Sequence, residues 1–345
     1  MDLSFERGPI RPVAEANSLI IRVTRGCPWN RCSFCTSYKS KGIKFSIRSV
    51  KEVKNDIDKI FEAYKKYPFE SCFLQDGDVF CMETENLLEI LYYIKRKFPL
   101  IKTITSYGII HNIVKKSQDE LNQIYEAGLN RVYCGMESGS DTILKMIQKG
   151  TTADMQINAG KMLKTAGFER SYFIIMGIGG AKYSHENAIE TAKVLNEINP
   201  EFIRVRTIRV KPESGFESMI KKGEYILPSE KMMIEEQLKM LELLNVDSYY
   251  SNDHSMNLMM EVEGQLPKMK NNLISLIRSY LDLSDIQQKV FNYGVRLFIM
   301  RRLSDLNDQI LYQKSEEKMK YIIELNKGAE DEEILNYLRV KFTSS

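Results

Sequence analysis

The sequence predicts an α/β fold built on a parallel sheet. Three observations predict it. Short runs of β-branched and aromatic residues recur at 18–23, 71–75, 103–106, 131–135, 172–176 and 202–205, which makes six strands. Helical patterns fall between them at 50–64, 85–97, 118–127, 154–166 and 187–198. Several of those patterns end at a residue that stops helices, namely Gly128, Gly167 or Pro200. Strands joined through helices pair in parallel by right-handed crossovers, so the options are an open doubly wound sheet or a partial or full βα barrel. In each, the loops after the carboxyl ends of the strands carry the site.

In chain order, residues 1–17 read as an N-terminal extension and 18–227 as the βα core. From Pro228 the strand pattern fades, and 228–345 reads as a mainly helical extension packing on that core. Its apolar positions include Met269, Leu273, Leu276, Ile277 and Leu281, then a denser run over 295–300. Such a stripe packs against its own domain more often than it docks a partner.

The 345 residues, 43% of them apolar, suffice for a substantial core. With 49 basic and 46 acidic side chains, no net-charge argument points to nucleic acid or to a membrane surface. The first residues lack an apolar stretch behind a basic end, and no run approaches the ~18 apolar residues that span a bilayer. The expectation is a cytoplasmic protein without membrane or direct nucleic-acid contact. In a reducing cytosol its six cysteines serve metal sites or chemistry and not a disulfide framework.

Three of those cysteines decide the chemistry. Cys27, Cys32 and Cys35 lie within Arg25-Gly26-Cys27-Pro28-Trp29-Asn30-Arg31-Cys32-Ser33-Phe34-Cys35, straight after the first strand. A structural zinc ion needs four ligands, and the next candidates, Cys72 and His111, are remote in sequence. A four-iron cubane held by three thiolates fits better, because it leaves one iron open to a small molecule. Cys72, Cys81 and Cys134 are scattered, which argues against a second cluster.

In this segment the chain resembles the radical S-adenosylmethionine (SAM) superfamily, which carries three closely spaced cysteines after strand one with an aromatic before the last, here Phe34. The intervals here are four then two residues, where the usual pattern has three then two. Further matches follow in order. Gln75-Asp76-Gly77-Asp78 stands where the family binds the methionine amino group, making Asp76, Gly77 and Asp78 cofactor candidates. Gly135-Met136-Glu137-Ser138-Gly139 resembles the segment whose acid holds the ribose, and Ser140 or Asp141 would cap the helix after it. Met176-Gly177-Ile178-Gly179-Gly180 resembles the glycine-bracketed isoleucine that touches adenine. Lys164 matches a base that pairs with the methionine carboxylate, and Ser106 ends the third strand beside the site. The resemblance covers about residues 18–210. It implies a partial (β/α)6 TIM-like barrel of the radical SAM type, one [4Fe-4S] cluster, S-adenosyl-L-methionine, and an electron donor such as flavodoxin or ferredoxin. It also implies reductive SAM cleavage and hydrogen abstraction from a small substrate.

Side chains on or after the third and sixth strands should choose that substrate: Tyr107, Arg204, Arg206, Arg209 and Glu213, with Asn252-Asp253-His254 beyond. Arg204 and Arg206 share one face of a strand, and such a pair suits either a phosphate or carboxylate or a buried salt-bridge network with Glu137 or Glu201. Arg206, Glu213 and His254 are the candidates for catalytic groups. The absence of an added cobalamin-binding or RNA-binding module argues for a compact enzyme. Among compact members with this spacing the chain is similar to the queuine lyases, which implies release of queuine from queuosine or its 5′-phosphate. A coproporphyrinogen-oxidase-like enzyme is the alternative from the same chemistry, and a non-catalytic iron–sulfur protein the alternative from another.

Overall fold

A computed structural model describes residues 4–64 and 67–342, so expectations that touch 1–3, 65–66 or 343–345 lie outside the described residues. The elements, in order, are β1 (Leu19–Arg22), β2 (Thr24–Arg25), β3 (Ser46–Ile47), α1 (Val50–Ala63), β4 (Ser71–Gln75), α2 (Thr84–Lys97), β5 (Thr103–Gly108), α3 (Ile110–Ile113), α4 (Gln118–Glu126), β6 (Leu129–Glu137), α5 (Asp141–Met146), α6 (Ala153–Ala166), β7 (Glu169–Met176), α7 (Ser184–Ile198), β8 (Phe202–Thr207), α8 (Gly215–Lys221), α9 (Glu230–Leu243), β9 (Tyr249–Ser251), β10 (Gly264–Gln265), α10 (Lys270–Leu281), α11 (Asp285–Arg296), α12 (Gln309–Leu325) and α13 (Asp331–Phe342). Each of the six expected strands and five expected helices has its counterpart.

Eight strands form a sheet in the order β1-β4-β5-β6-β7-β8-β9-β10, open at β1 and β10 among the described residues, and β2 pairs separately with β3. Pairing is parallel between β1 and β4, β4 and β5, β5 and β6, and β8 and β9, and antiparallel between β9 and β10. The fold is thus the expected mixed α/β one with a mainly parallel sheet, in the open form.

Two compact units divide the chain: Met1–Met136 with Gln148–Tyr172, and Glu137–Ile147 with Phe173–Ser345. In the first, Cys72, Phe73 and Leu74 of β4 are all fully buried, as a parallel strand covered on both faces requires. Helix α1 begins at a reciprocal cap, with the Glu52 amide on the Ser49 hydroxyl and the Ser49 amide on the Glu52 carboxylate. It buries Val53, Ile57 and Ile60 at helical spacing. Helix α4 starts the same way at Ser117 and Glu120. In the second unit α9 packs on α7 and α10, and α11 on α12 and α13.

Two departures lie in the second unit. Helix α7 starts at Ser184 and not at 187, because its first turn, Ser184-His185-Glu186, is polar and shows no apolar period. The stretch after 228 is not helical throughout: β9 and β10 extend the sheet, with Tyr249 opposite Phe202 and Gly264 opposite Tyr250. Strands this short carry too few residues to show an alternation. No helix among the described residues is long and apolar enough to cross a membrane.

Candidate functional site

In the first unit the two-stranded ladder of β2 and β3 closes the ends of the 26–45 loop, which carries Cys27, Cys32 and Cys35, half-buried and in no disulfide. The Cys35 amide donates to the Cys32 carbonyl at 3.2 Å, and the Asn30 amide donates to Cys27 Sγ at 3.4 Å. Gly77 must be glycine because this loop lies on it: a Cβ there would sit 2.9 Å from the Gly26 carbonyl oxygen and 3.1 Å from Cys27 Cα. No three His, Cys, Asp or Glu side chains among the described residues converge on a place for one metal ion. A cubane needs no such convergence, since each thiolate binds its own iron, so three thiols on one loop fit a cluster.

The two acids after β4 are both fully buried and differ in their partners. Asp78 accepts from the Phe80 and Ile109 amides at 3.0 and 3.3 Å and from Asn112 Nδ2 at 2.6 Å, which ties the loop after β4 to the start of α3. Burial pushes its carboxyl up to about 7 against those hydrogen bonds. Asp76 Oδ2 takes Arg22 Nε and Nη2 at 2.9 and 2.5 Å and the Gly26 amide at 3.3 Å. Burial raises its pKa and the Arg22 charge opposes the rise. Its other oxygen, Oδ1, is buried without a hydrogen bond, and so is Ser106 Oγ on β5. An unmade buried hydrogen bond costs about 1–3 kcal/mol. Two of them after adjoining strands are the feature of this unit that fits a polar cofactor. Phe34 is half-buried, Tyr107 packs edge-on against Phe73 at 5.2 Å, and Lys164 is exposed in the last turn of α6.

In the second unit Glu137 is buried at the end of β6 with φ +66°. Ser138 Oγ donates to Asn187 Oδ1 at 2.6 Å, and Ser140 caps α5 through the Ile143 amide at 3.1 Å. Gly177, at φ +79°, has its amide on Glu236 Oε1 at 2.9 Å and its carbonyl on the Tyr225 hydroxyl at 2.6 Å; Ile178 beside it is fully buried. Asn187 Nδ2 also donates to Glu236 Oε1 at 2.7 Å, so Asn187 and Glu236 join the Ser138 and Gly177 segments through one network. Burial pushes the Glu236 carboxyl up to about 7, against hydrogen bonds from Ser184, Gly177 and Asn187.

Because the folded pKa is raised, the stabilisation is complete below about 4.5 and is lost as pH rises through 7. Glutamine reproduces the neutral acid, since its amide can donate to Ser184 Oγ. Glu236→Gln is therefore expected to be the more stable protein at pH 8, by on the order of 2–3 kcal/mol. The two proteins should converge near pH 5 in urea unfolding, and a variant less stable than wild type at pH 8 would contradict the assignment.

The arginines of β8 gather around one carboxylate. Asp253 lies 3.8 Å from Arg204 Nη1 and 3.4 Å from Arg206 Nη1. Arg209 follows on the same segment, and burial lowers its pKa. His254 is pushed down to about 4 by burial, with Arg206 and Arg209 adding to it. Its Nδ1 accepts the Met256 amide at 3.1 Å, so the neutral ring carries its proton on Nε2. Glu213 is exposed ahead of α8, with φ +65° and its amide on Glu217.

Sequence reasoning missed Arg22, which holds Asp76, and Glu6, whose carboxylate takes Arg22 at 2.8 Å and Arg25 at 2.7 Å. It also missed Glu236, although a cue existed. That residue stands three after Met233 and four before Met240, on the buried stripe of α9.

A three-thiol loop after the first sheet strand, buried acids after the second and a glycine-bracketed turn after β7 define a class of enzyme. The chain belongs to the radical SAM superfamily, whose family model matches residues 21–192. Among curated proteins it is similar to the uncharacterized methyltransferase PH0819 of Pyrococcus horikoshii, 29% identical over 158 residues, which are 46% of this chain and 32% of that one. It is also similar to the heme chaperone HemW of Bacillus subtilis, 24% identical over 177 residues, 51% of this chain and 45% of that one. The matched region thus spans less than half the length of either relative. Among solved structures, the cobalamin-dependent SAM radical enzyme OxsB, with aqua-cobalamin and SAM bound, superposes with a TM-score of 0.53 at 17% identity. That likeness covers 94% of this chain and 58% of OxsB and concerns the fold alone.

Proposed function

We propose that this chain cleaves SAM reductively at a [4Fe-4S] cluster held by Cys27, Cys32 and Cys35, and that it acts on a small anionic substrate, queuosine 5′-phosphate, to release queuine. The observation that carries the reading is the set of three cysteines, none in a disulfide, on one loop of a radical SAM domain. When bound, the reduced cluster supplies an electron to the sulfonium, and the 5′-deoxyadenosyl radical takes a hydrogen atom from the substrate.

The chain's own groups do the rest. In the first unit Asp76 Oδ1 and Ser106 Oγ, buried and unbonded, would serve the cofactor's ammonium and hydroxyl groups, with Phe34 and Gly77 as further contacts. Asp78 keeps the loop in shape, and Lys164 is the cation for a carboxylate. In the second unit Glu137 and Ser138 serve the ribose, and Gly177 and Ile178 the adenine. Arg204 and Arg206 stand beside Asp253, and with Arg209 after them on the same segment they would offer guanidinium donors that suit a phosphate. Asp253 and Glu213 would take the amine and diol of the base, and Tyr107 one face of it. His254, neutral with its proton on Nε2, can donate a hydrogen bond without adding charge.

A second reading is favoured by the likeness to HemW over half of the chain: a porphyrin, whose carboxylates the same arginines suit. The test is 5′-deoxyadenosine formation by reduced, reconstituted enzyme with queuosine 5′-phosphate or coproporphyrinogen III. Stimulation by the nucleotide with free queuine released is the expected result. Stimulation by the porphyrinogen alone replaces the lyase reading with the second one.

A further inference from the structure

We propose that Trp29, the single tryptophan of the chain, is a positioning residue that fixes the cysteine loop and thereby raises the reduction potential of the cluster the loop would hold; this rests on the iron–sulfur reading above. The interval Pro28-Trp29-Asn30-Arg31 is the longer of the two between cysteines, and a longer loop has more conformations to lose. Trp29 supplies the restraint. Its Nε1 donates to the Gln148 carbonyl at 2.8 Å, and its ring lies so close on Gly150 that a Cβ there would come within 2.3 Å of it. His111 meets the ring edge-on at 5.2 Å, and the Arg31 guanidinium lies 5.2 Å from its centre. The receiving turn is shaped for this contact: Gln148 and Gly150 both have left-handed backbone, at φ +53° and +72°, and glycine alone leaves room under the ring.

The link to the cluster is the next residue. Asn30, itself at φ +45°, points its amide at Cys27 Sγ at 3.4 Å. An N–H aimed at a ligating sulfur stabilises the more negative, reduced cluster and so raises its potential. With Trp29 anchored on one side and Cys27 on the other, Asn30 has little freedom to turn that amide away.

Two substitutions separate the contributions. Trp29→Phe keeps a ring on Gly150 and removes the indole N–H, whereas Trp29→Ala removes both. The readouts are the cluster midpoint potential from an EPR-monitored titration, the rate of iron loss to a chelator, and, on the cluster-free chain, iodoacetamide alkylation rates of Cys27, Cys32 and Cys35. Both variants should show a more negative potential. Trp29→Ala should lose iron about tenfold faster, the equivalent of one lost hydrogen bond, and its three cysteines should alkylate faster with an unchanged circular dichroism spectrum. Wild-type values for all three readouts would overturn the proposal. Should the alanine variant not fold, the phenylalanine variant decides by its potential. A wild-type chain that takes up no cluster would defeat the functional reading, and the alkylation rates would still judge the clamp.

Discussion

Cys32→Ala is expected to leave a folded chain that holds no competent cluster, and to reduce 5′-deoxyadenosine formation by more than about 100-fold. Three thiolates fix three corners of a cubane and leave one iron open. With two, the cluster is held by half its corners and the open position is no longer defined. The fold does not depend on this sulfur, because Cys32 is half-buried in the 26–45 loop. The stability change should stay within about 0.5 kcal/mol. Cys72→Ala supplies the opposite case. Cys72 is fully buried in β4, and burial raises its pKa, so its thiol is core and not ligand. Losing it should cost stability, about 1–2 kcal/mol for a small cavity, and leave the iron content alone. Iron and sulfide analysis beside thermal unfolding separates the two, and equal iron loss in both variants would refute the assignment of ligands.

Glu230→Gln is expected to have the largest effect on stability, about 3–5 kcal/mol, or a fall in Tm on the order of 10 °C. Glu230 is 3% exposed, and its carboxylate takes Arg296 through Nε and Nη2, both at 2.8 Å, and Arg339 through Nη2 at 2.9 Å. Those guanidiniums also bond main-chain carbonyls, Arg296 that of Met256 and Arg339 that of Ile208. One carboxylate therefore fixes α9, α11 and α13 together. Removing its charge takes from two buried cations the carboxylate they share, which is far worse than never having had the triad. Burial alone would raise the Glu230 pKa, and the two arginines outweigh it and hold the group at about 2. A lowered folded pKa means stability that is present above about 4.5 and lost as pH falls toward 2. Wild type should thus gain stability between pH 3 and 5 by more than the variant does. A Tm within 2 °C of wild type at pH 7 would show that the triad contributes little.

The fold was legible in the sequence because parallel strands and their crossover helices have different periods, and the βα repeat alternates them cleanly. Ser49 with Glu52 and Ser117 with Glu120 form reciprocal caps at the residues where α1 and α4 begin, a signal the periodicity did not use. β9 and β10 escaped because a strand of two or three residues borrows its stability from the sheet it joins and carries almost no pattern of its own. At the proposed site, the cysteine spacing was legible because the three thiols stand close together in sequence on one loop. The charge network Glu6, Arg22, Arg25 and Asp76 was not, because its members are joined across 16 to 54 residues and none follows a period. The turn motif Asp76-Gly77-Asp78 suggested two equivalent acids. Their partners make them unlike: Asp78 has both oxygens bonded, to Phe80, Ile109 and Asn112, and Asp76 keeps one oxygen unbonded. Arg204 and Arg206 alternate along β8, and the acid beside both, Asp253, lies in a segment no periodicity connects to β8.

The central claim is that this chain performs radical SAM chemistry at Cys27, Cys32 and Cys35. Its most direct test is to purify the wild-type chain without oxygen, reconstitute it with iron and sulfide, reduce it with dithionite and measure 5′-deoxyadenosine released from SAM. Formation of 5′-deoxyadenosine by wild type, and its absence with Cys32→Ala, is the predicted result. A wild-type chain that carries a full cluster and yields no 5′-deoxyadenosine would contradict it.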